Sequence, residues 1–484
     1  MSTPVRVRFA PSPTGFLHVG GLRTALYNFL FARRHGGTFI LRIEDTDQSR
    51  KVERAVENLI STLEWAGIHY DEGPHRDGGF GPYVQSQRLE RYQQSARQLI
   101  DQGNAYYCFC TPERLEEVRQ RQISMKLPPM YDRHCRDLLA GEVTRRREAG
   151  ESSVVRMKVP IGGEMTFDDA IRGHVTIAHK VLDDQVLIKS DGFPTYHLAV
   201  VVDDHSMQIS HVIRGEEWLS STPKHILLYK YFGWEIPRFA HLPLLLNPDK
   251  TKLSKRQGDV AVEDYRAKGY LKEAIINFVA FLGWNPGDER EVFSLEELTK
   301  EFSLERVGKS GAVFNIEKLN WINQQQLRRK SNEELAVEVK ALLEEKQIKV
   351  SSQEYLLKAI GLMKERVTLT KDFAEFGGYF FEDPQSYDPA GKEKNWQPET
   401  GKQIALFTER LSTLGEFTHQ SIEQLTKLYA EELGIKTGKI IHATRLALSG
   451  RTVGPGLYEM MELLGKETCL RRLRRAVELL SALS

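Results

Sequence analysis

The first 47 residues carry the pattern that most constrains the fold. Residues 5–9 (VRVRF) alternate apolar and polar side chains as a strand does, and residues 10–15 (APSPTG) contain breakers of regular structure. Apolar side chains then recur at helical spacing in residues 22–30, and a glycine pair ends that segment. Residues 38–43 are typical of a buried strand, and residues 44–47 (EDTD) follow it. This order predicts a βαβ unit with polar groups at the carboxyl ends of its strands, where open parallel sheets bind ligands.

Later segments predict a divided sheet and a helical C-terminal half. Apolar, β-rich runs predict that the sheet resumes after an inserted domain. These runs are residues 196–202, 211–213 and 239–246. The insert opens with Thr111 and Pro112, a pair typical of a helix N-terminus. Beyond about residue 260 the apolar pattern is helical, with capping boxes that begin at Ser294 and Ser331.

Composition restricts the class of protein. A chain of 484 residues exceeds the size of about 250–300 residues at which single cores stop growing, so several domains are expected. The sequence has no apolar run of the roughly 18 residues that would cross a bilayer, and its N-terminus lacks the apolar core of a signal peptide. We therefore expect a cytoplasmic protein that contacts no membrane. The net charge of +1 neither requires nor excludes an anionic partner.

Two motifs far apart in the chain indicate a phosphate site. Residues 16–21 (FLHVGG) lie where a strand should turn into a helix, whose exposed amides and positive dipole end attract phosphates. Gly20 and Gly21 permit close approach, and His18 can donate to phosphate oxygens. Residues 252–256 (KLSKR) form a doubly basic loop. Taken alone, the first motif is better explained by a histidine that caps a helix, and the second matches the lysine-rich surface loops that are common in proteins. Together they predict that ATP is held from two sides for nucleotidyl transfer.

Walker A and Gly-x-Gly-x-x-Gly patterns are absent from the sequence, but six other motifs occur in the order of one enzyme family. They are residues 10–15 (APSPTG), the His18 signature, 42–47 (RIEDTD), 196–198 (YHL), 212–218 (VIRGEEW) and 252–256 (KLSKR). With them the chain resembles the bacterial glutamyl-tRNA synthetases, which are class I aminoacyl-tRNA synthetases, from residue 5 to its C-terminus. The resemblance implies an enzyme that activates L-glutamate with ATP and Mg²⁺ to glutamyl-adenylate. It then transfers the glutamyl group to the 2′-hydroxyl of the terminal adenosine of tRNA(Glu).

The resemblance also implies the fold class and the order of domains. We expect an α/β protein with a Rossmann-type parallel-sheet catalytic domain, an inserted acceptor-binding domain, a stem-contact region and an all-α anticodon-binding region. The expected boundaries are 1–107 and 189–245 for the two halves of the catalytic domain, 108–188 for the insert, 246–325 for the stem-contact domain carrying the basic loop, and 326–382 and 383–484 for two anticodon-binding helical subdomains. Residues 383–402, rich in proline, glycine and charge, are expected to separate two helical modules.

Roles for individual residues follow from the resemblance. The predicted glutamate-binding residues are Arg8, Ala10, Ser12, Glu44, Tyr196, Arg214 and Trp218. The predicted ATP-binding residues are His18, Gly20, Gly21, Lys252, Ser254, Lys255 and Arg256, of which His18 and Lys255 are catalytic. Glutamate carries two carboxylates and one ammonium, so its pocket needs a guanidinium and an acid. Arg8 is favoured for the side-chain carboxylate and Glu44 for the amino group. Val200 stands where the family often has asparagine, which puts one pocket hydrogen bond in doubt.

Three of the four cysteines have the spacing of a metal site. Cys108 and Cys110 are followed by Cys135, and members of the family can hold zinc on a Cys-x-Cys…Cys-x-His set. Here the last position is Asp137, an acceptable though less usual zinc ligand, and His134 is the alternative. Three thiols without metal remain an open alternative.

The helical C-terminal half is expected to read the anticodon. Arg366 stands where the family places an arginine that reads the third anticodon base, and Arg445 matches a second anticodon arginine. Relatives with glycine at the first position accept tRNA(Gln), so we expect an enzyme that is specific for tRNA(Glu). We also expect a monomer, because the sequence has no obvious extra interface, and we expect no binding to DNA.

Three other functions are alternatives for a chain with these motifs. A shorter relative that glutamylates a modified base of aspartate tRNA lacks an anticodon domain, and a glutaminyl enzyme would not need two pocket arginines. From a different class, the chain could be an inactive paralogue that acts as a tRNA-binding protein.

Overall fold

The computed structural model describes residues 4–47, 52–253 and 261–481, which form two compact units. The first unit comprises Met1–Tyr265 with Ile276–Asn315, and the second comprises Arg266–Ile275 with Ile316–Ser484. Each unit is described by itself below, and the finer domain boundaries stay predictions.

The first unit opens with the predicted βαβ motif. Strand β1 (Arg6–Phe9), helix α1 (Val19–Arg34) and strand β2 (Thr38–Leu41) follow one another. β1 and β2 pair in parallel, with Arg6 opposite Thr38. Both strands are almost wholly buried, because α1 covers them with an apolar face. The polar segments after β1 and β2 therefore meet at one edge of the sheet.

The other strands of the first unit form three small sheets. They are β3 (Ala105–Cys108), β4 (Val154–Met157), β5 (Glu164–Asp169), β6 (Gly173–Ala178), β7 (Val186–Ile188), β8 (His211–Gly215), β9 (Arg238–Leu242), β10 (Leu245–Leu246) and β11 (Ala312–Val313). β3, β4 and β7 are antiparallel, β10 pairs with β11 in parallel, and the largest sheet has the order β6-β5-β9-β8. In that sheet β9 is parallel to β5 and β8, so the β5–β6 hairpin, expected in the insert, shares a sheet with strands of the catalytic domain.

Helices connect these strands. They are α2 (Ala55–Trp65), α3 (Leu89–Asp101), α4 (Pro112–Ser124), α5 (Ala140–Glu148), α6 (Tyr196–Ser206), α7 (Thr222–Phe232), α8 (Val262–Lys268), α9 (Lys272–Ala280) and α10 (Leu295–Glu301), with 3₁₀ turns at Gln85–Arg88, His179–Val181, Glu216–Ser221 and Leu304–Arg306. α8 and α9 contribute residues to both units. The predicted starts at Thr111 and Ser294 are confirmed, since both side chains accept a backbone N–H of the first turn.

The prediction of a strand at residues 196–202 is wrong, because this segment is the first part of helix α6. Residues 198–204 are all buried in α6, which packs against α3 and α7. A helix buried on every side has no polar stripe, so a short apolar run cannot be told from a buried strand by its period. The runs at 211–213 and 239–246 do contain strands β8, β9 and β10.

The second unit is helical in its described part. Its helices are α11 (Ile316–Arg329), α12 (Asn332–Glu345), α13 (Gln353–Met363), α14 (Asp372–Glu375), α15 (Pro389–Asn395), α16 (Pro398–Ser412), α17 (His419–Glu432), α18 (Thr437–Ser449), α19 (Leu457–Leu464) and α20 (Lys466–Ser481), with a 3₁₀ turn at Gly378–Phe380. The capping box at Ser331 is confirmed. Residues 383–402, expected as a separator, instead contain α15 and the start of α16, and Asp383 pairs with Arg472 of α20 at 2.8 Å.

Within the described ranges, no helix has the length and apolar character that a membrane crossing requires.

Candidate active site

One cavity of the first unit gathers the residues predicted to bind glutamate. It has a volume of about 720 Å³ and lies where β1, β2 and β8 end. Its lining includes Arg8, Ala10, Ser12, Glu44, Tyr196, Arg214 and Trp218. The parallel pairing of β1 with β2 explains why Arg8 and Glu44 meet there. Val200 does not line this cavity, because it is buried in the core on α6.

Arg8 is held on one side of the cavity by a carboxylate. Its Nε and Nη2 donate to Asp204 Oδ1 and Oδ2 at 3.0 and 3.2 Å, and both side chains are almost fully buried. Arg42 also donates to Asp204 through Nη1 at 2.8 Å. Although burial opposes ionisation, these two arginines keep the pKa of Asp204 below its ordinary value. Asp204 therefore carries a negative charge that compensates the guanidiniums beside it.

Glu44 is the buried acid of the cavity, whose lining also includes the less buried Asp47 and the exposed Glu217. Arg42 Nη2 donates to its Oε1 at 3.1 Å. Burial raises the pKa of Glu44 to about 7, more than Arg42 and Arg8 lower it. With a pKa near neutral pH, Glu44 can lose its proton when a cation such as an ammonium group binds next to it.

Arg214 lies on the other side of the cavity among uncharged partners. Its Nε donates to His241 Nε2 at 3.1 Å and its Nη2 to Thr222 Oγ1 at 3.0 Å. Its Nη1 donates to the hydroxyl of Tyr196 at 3.1 Å and to His225 Nδ1 at 3.2 Å. No carboxylate forms an ion pair with Arg214 in the described part of the chain.

Aromatic rings close the cavity beside Arg214. The ring centroids of Tyr196 and Trp218 are 4.0 Å apart, with a tilt of 30°. Since Tyr196 accepts a hydrogen bond from Arg214, its own proton can be directed toward a bound group. Burial raises the pKa of Tyr196, so this hydroxyl keeps its proton.

The predicted phosphate site lies at the start of α1. His18 is the N-cap, and its Nδ1 accepts the N–H of Gly20 at 2.9 Å. In the neutral imidazole the proton must then be on Nε2. A Cβ atom at Gly21 would lie 2.9 Å from Leu17 Cδ1, so a larger residue there would require the Leu17 side chain to shift. The first turn of α1 contains no acidic residue, which favours an anion there.

The described residues that flank the basic loop lie beside this helix terminus, where Leu245 Cδ1 is 3.5 Å from the Cβ position of Gly20. Lys252 bridges Leu246, and Leu253 N donates to Leu245 O at 2.9 Å. On the far side of the loop, Ala261 bridges His18. Ser254, Lys255 and Arg256 lie outside the described residues. The described residues before and after this segment therefore lie next to the residues that cap α1.

The three predicted cysteine ligands also come together. The Sγ atoms of Cys108, Cys110 and Cys135 lie within 4.8 Å of one another. The hydroxyl oxygen of Tyr131 is 3.2 Å from Cys108 Sγ and 3.5 Å from Cys110 Sγ. Three thiolates fit zinc, which prefers a tetrahedral set of sulfur and nitrogen ligands.

The predicted fourth ligand does not join this cluster. The Asp137 side chain is 85% exposed, and its carboxylate is 3.8 Å from Lys158 Nζ. His134, the alternative, is also outside the group of thiols. Tyr131 is thus the side chain with an oxygen next to two of the sulfurs.

Comparisons with known proteins agree with this geometry. A family model described as the catalytic domain of class I tRNA synthetases (E and Q) matches residues 4–321, and a model of an anticodon binding domain matches residues 334–477. The glutamate–tRNA ligase of Chloroherpeton thalassium is 56% identical, with 98% of each chain covered, and that of Chlorobium chlorochromatii is 55% identical with the same coverage. The chain belongs to the glutamate–tRNA ligase family of class I tRNA synthetases.

Solved structures of the same family share the whole fold of this synthetase. A glutamate tRNA ligase from Elizabethkingia meningosepticum, solved in complex with its amino acid, is 43% identical with a TM-score of 0.91 and covers 99% of this chain and 100% of its own. A glutamate–tRNA synthetase from Elizabethkingia anophelis is 42% identical with a TM-score of 0.88. The predicted family, fold class and enzyme class are thereby confirmed.

The second unit of the synthetase contains a cavity beside the predicted anticodon arginines. It has a volume of about 1290 Å³, and Arg366 lines it. Arg445 donates from Nη1 to Pro455 O at 2.6 Å, and its Nη1 lies 3.0 Å from where a Cβ on the lining residue Gly454 would be. The two arginines are therefore close to one concave surface.

Several residues of the site were missed from the sequence. They are Asp204 and Arg42 on the Arg8 side and Asp169, Thr222, His225 and His241 on the Arg214 side. The two consecutive aspartates at the end of an apolar run were a signal for Asp204. The buried histidines follow no local pattern that would have indicated them.

Proposed function

We propose that this synthetase activates L-glutamate with ATP to glutamyl-adenylate and transfers the glutamyl group to tRNA(Glu). The observation that carries the proposal is one cavity in which Arg8, Arg214 and the buried acid Glu44 surround a space for an amino acid. A dicarboxylate with one ammonium group has the complementary charges. The names of the relatives, at 55 to 56% identity over nearly the whole chain, support the same reaction.

Glutamate would be held by its three charged groups. Glu44 accepts the ammonium, with Ser12 and the carbonyl of Ala10 beside it. Arg8, Arg214 and the hydroxyl of Tyr196 recognise the side-chain carboxylate, against the wall formed by Trp218. The α-carboxylate then remains free to face ATP.

Activation is an in-line displacement at the α-phosphorus. An oxygen of the α-carboxylate attacks, the bond to the bridging oxygen breaks, and pyrophosphate leaves with its electrons. His18 Nε2 and the N-terminus of α1 stabilise charge on the phosphates from one side. Lys252, Ser254, Lys255 and Arg256 act from the other, with Lys255 on the transferring phosphate. Magnesium bound to the phosphates would neutralise charge on the leaving pyrophosphate.

Transfer to tRNA needs no covalent enzyme intermediate. The 2′-hydroxyl of the terminal adenosine attacks the activated carbonyl, the mixed anhydride bond breaks, and AMP leaves. The segment between Cys108 and β7 is proposed to hold the acceptor end during this step. Zinc bound to Cys108, Cys110 and Cys135 would stabilise that segment. The exposed side chain of Asp137 would have to move next to the three thiols to act as the fourth ligand.

Arg366 and Arg445 are proposed to read the anticodon, with Arg366 excluding tRNA(Gln). A planar guanidinium can bond the edge of an unstacked base or stack on its face. The expected monomeric state and cytoplasmic location stay predictions.

Glutamate-dependent exchange of pyrophosphate into ATP tests the proposal, with and without tRNA. We expect exchange with glutamate and not glutamine, and charging of tRNA(Glu) well above tRNA(Gln). Lys255→Ala should lose exchange but keep tRNA binding, because it acts on the phosphates. A wild-type protein that binds tRNA without exchange or charging would instead be the inactive paralogue. Elemental analysis for about one zinc per chain tests the thiol site.

A further inference from the structure

The hydrogen bonds of Arg214 determine the proton positions of its neighbours. A guanidinium has five N–H donors and no acceptor. Four of these donors are directed at His241, Tyr196, His225 and Thr222 at 3.0–3.2 Å, while the fifth contact, to Trp218 O, is long at 3.5 Å. Each imidazole nitrogen that faces Arg214 must therefore present a lone pair.

A carboxylate behind His241 enforces that state on one side. His241 Nδ1 is 2.6 Å from Asp169 Oδ2, and both side chains are fully buried. Hydrogen bonds from His241 and the backbone keep the pKa of Asp169 below its ordinary value despite burial, so it is an acceptor. His241 must then carry its proton on Nδ1 and direct the lone pair of Nε2 at Arg214.

On the other side of Arg214, His225 and His197 form a second chain of hydrogen bonds. His225 Nδ1 accepts from Arg214, so its proton is on Nε2, which lies 3.0 Å from His197 Nδ1. Burial and the neighbouring cations lower the pKa of His225 well below its ordinary value, and burial lowers that of His197 to about 3. Burial also lowers the pKa of His241, more than Asp169 raises it, so all three imidazoles are neutral.

We propose that Asp169 and His241 are positioning residues, which orient Arg214 for the glutamate carboxylate by fixing the tautomer of a neutral imidazole. The proposal rests on the role of Arg214 stated above. A neutral acceptor fixes the plane of the guanidinium without cancelling its charge, which stays available to the ligand. Asp204 holds Arg8 differently, because it supplies a full negative charge.

Asp169→Asn tests this chemistry with almost no change of shape. Oδ1 accepts the backbone N–H groups of Ile171 and Arg172, so the new amide keeps its oxygen there and directs its NH₂ at His241. His241 must then accept at Nδ1 and carry its proton on Nε2, which lies 3.1 Å from both Arg214 Nε and Thr222 Oγ1. In the wild-type protein the lone pair of His241 Nε2 accepts the N–H of Arg214. In the variant, an N–H of His241 faces an N–H of Arg214, and the hydrogen bond is lost.

The expected result is a rise in KM for glutamate of about tenfold to a hundredfold, the range for losing one hydrogen bond to a charged group. KM for ATP should stay within about twofold of wild type. Asp168→Asn is the matched control, because Asp168 on the same strand contacts His174 at 2.9 Å with both side chains largely exposed. It should leave both constants unchanged.

His241 offers a second pair of variants if Asp169→Asn does not fold. His241→Gln can return a carbonyl oxygen to Arg214, whereas His241→Met has a similar shape without an acceptor. The glutamine variant should have a KM for glutamate several-fold below that of the methionine variant. Equal values for this pair, or an Asp169→Asn enzyme with KM for glutamate within twofold of wild type, would overturn the proposal. If wild-type protein shows no exchange with glutamate, the proposed function itself has failed.

Discussion

The two sides of the glutamate cavity hold their arginines by opposite means. Asp204 binds Arg8 through two hydrogen bonds and also pairs with Arg42, so this side is an ionic network. Arg214 is bound by imidazoles and hydroxyls that carry no charge. The ionic side contributes to folding as well as binding, whereas the neutral side keeps the positive charge for the substrate. This difference leads to the following predictions, from the largest effect to the smallest.

Asp204→Asn should destabilise the fold by about 3–5 kcal/mol, because it leaves two buried guanidiniums without their shared negative charge. Thr222→Val, which removes one neutral partner of Arg214, should cost less, about 1.5–3 kcal/mol, the range for one hydrogen bond to a charged group. Urea unfolding of the two variants measures both values. Similar losses for the two variants would remove the distinction between an ionic and a neutral side.

Conservative substitution of the arginines separates their roles in binding. Arg214→Lys should lower kcat/KM for glutamate by about ten- to a hundredfold, since an ammonium cannot keep the planar set of contacts. Arg8→Lys should lose the bidentate contact with Asp204 and should therefore also have a lower free energy of unfolding. Steady-state exchange kinetics together with thermal melting distinguish the two. An Arg8→Lys enzyme with unchanged activation would contradict the assignment of Arg8.

The pH dependence of binding should come from Glu44. Its pKa is raised to about 7, and only the ionised form attracts an ammonium, so affinity is full above that pH and is lost as pH falls through it. KM for glutamate should rise about tenfold between pH 8 and pH 6, while KM for ATP does not follow. In Glu44→Gln, KM should be high at every pH. A wild-type KM that is flat over this range would show that Glu44 is ionised throughout.

Tyr196→Phe should have the smallest effect. It removes one acceptor from Arg214 and the hydroxyl offered to the substrate but keeps the ring against Trp218. We expect KM for glutamate to rise only about three- to tenfold, because Arg214 keeps its acceptors on His241, His225 and Thr222. A much larger loss would mean that the hydroxyl, rather than Arg214, carries the recognition.

Local signals in the sequence predicted much of this architecture, and long-range contacts account for the rest. The βαβ opening and the caps at Thr111, Ser294 and Ser331 depend on neighbouring residues, and the structure contains all of them. Helix α6 was mistaken for a strand because burial on all sides erases the helical period.

Within the site, the sequence motifs indicated the residues that face the ligand but not those behind them. Asp204 follows Arg8 by 196 positions, and His241 follows Asp169 by 72. Contacts over such separations arise only when the strands assemble. Their residue types, a carboxylate or an imidazole, have no fixed spacing that a sequence pattern would reveal.

Strand β5 is part of two regions with different predicted roles, the insert and the amino acid pocket. It belongs to the segment expected to hold the end of the tRNA, yet its last residue, Asp169, stands behind the arginine proposed to recognise the amino acid. Pairing with β9 makes the hairpin and the wall of the cavity one piece of sheet. Grafting this insert between relatives would therefore exchange part of the amino acid pocket together with it.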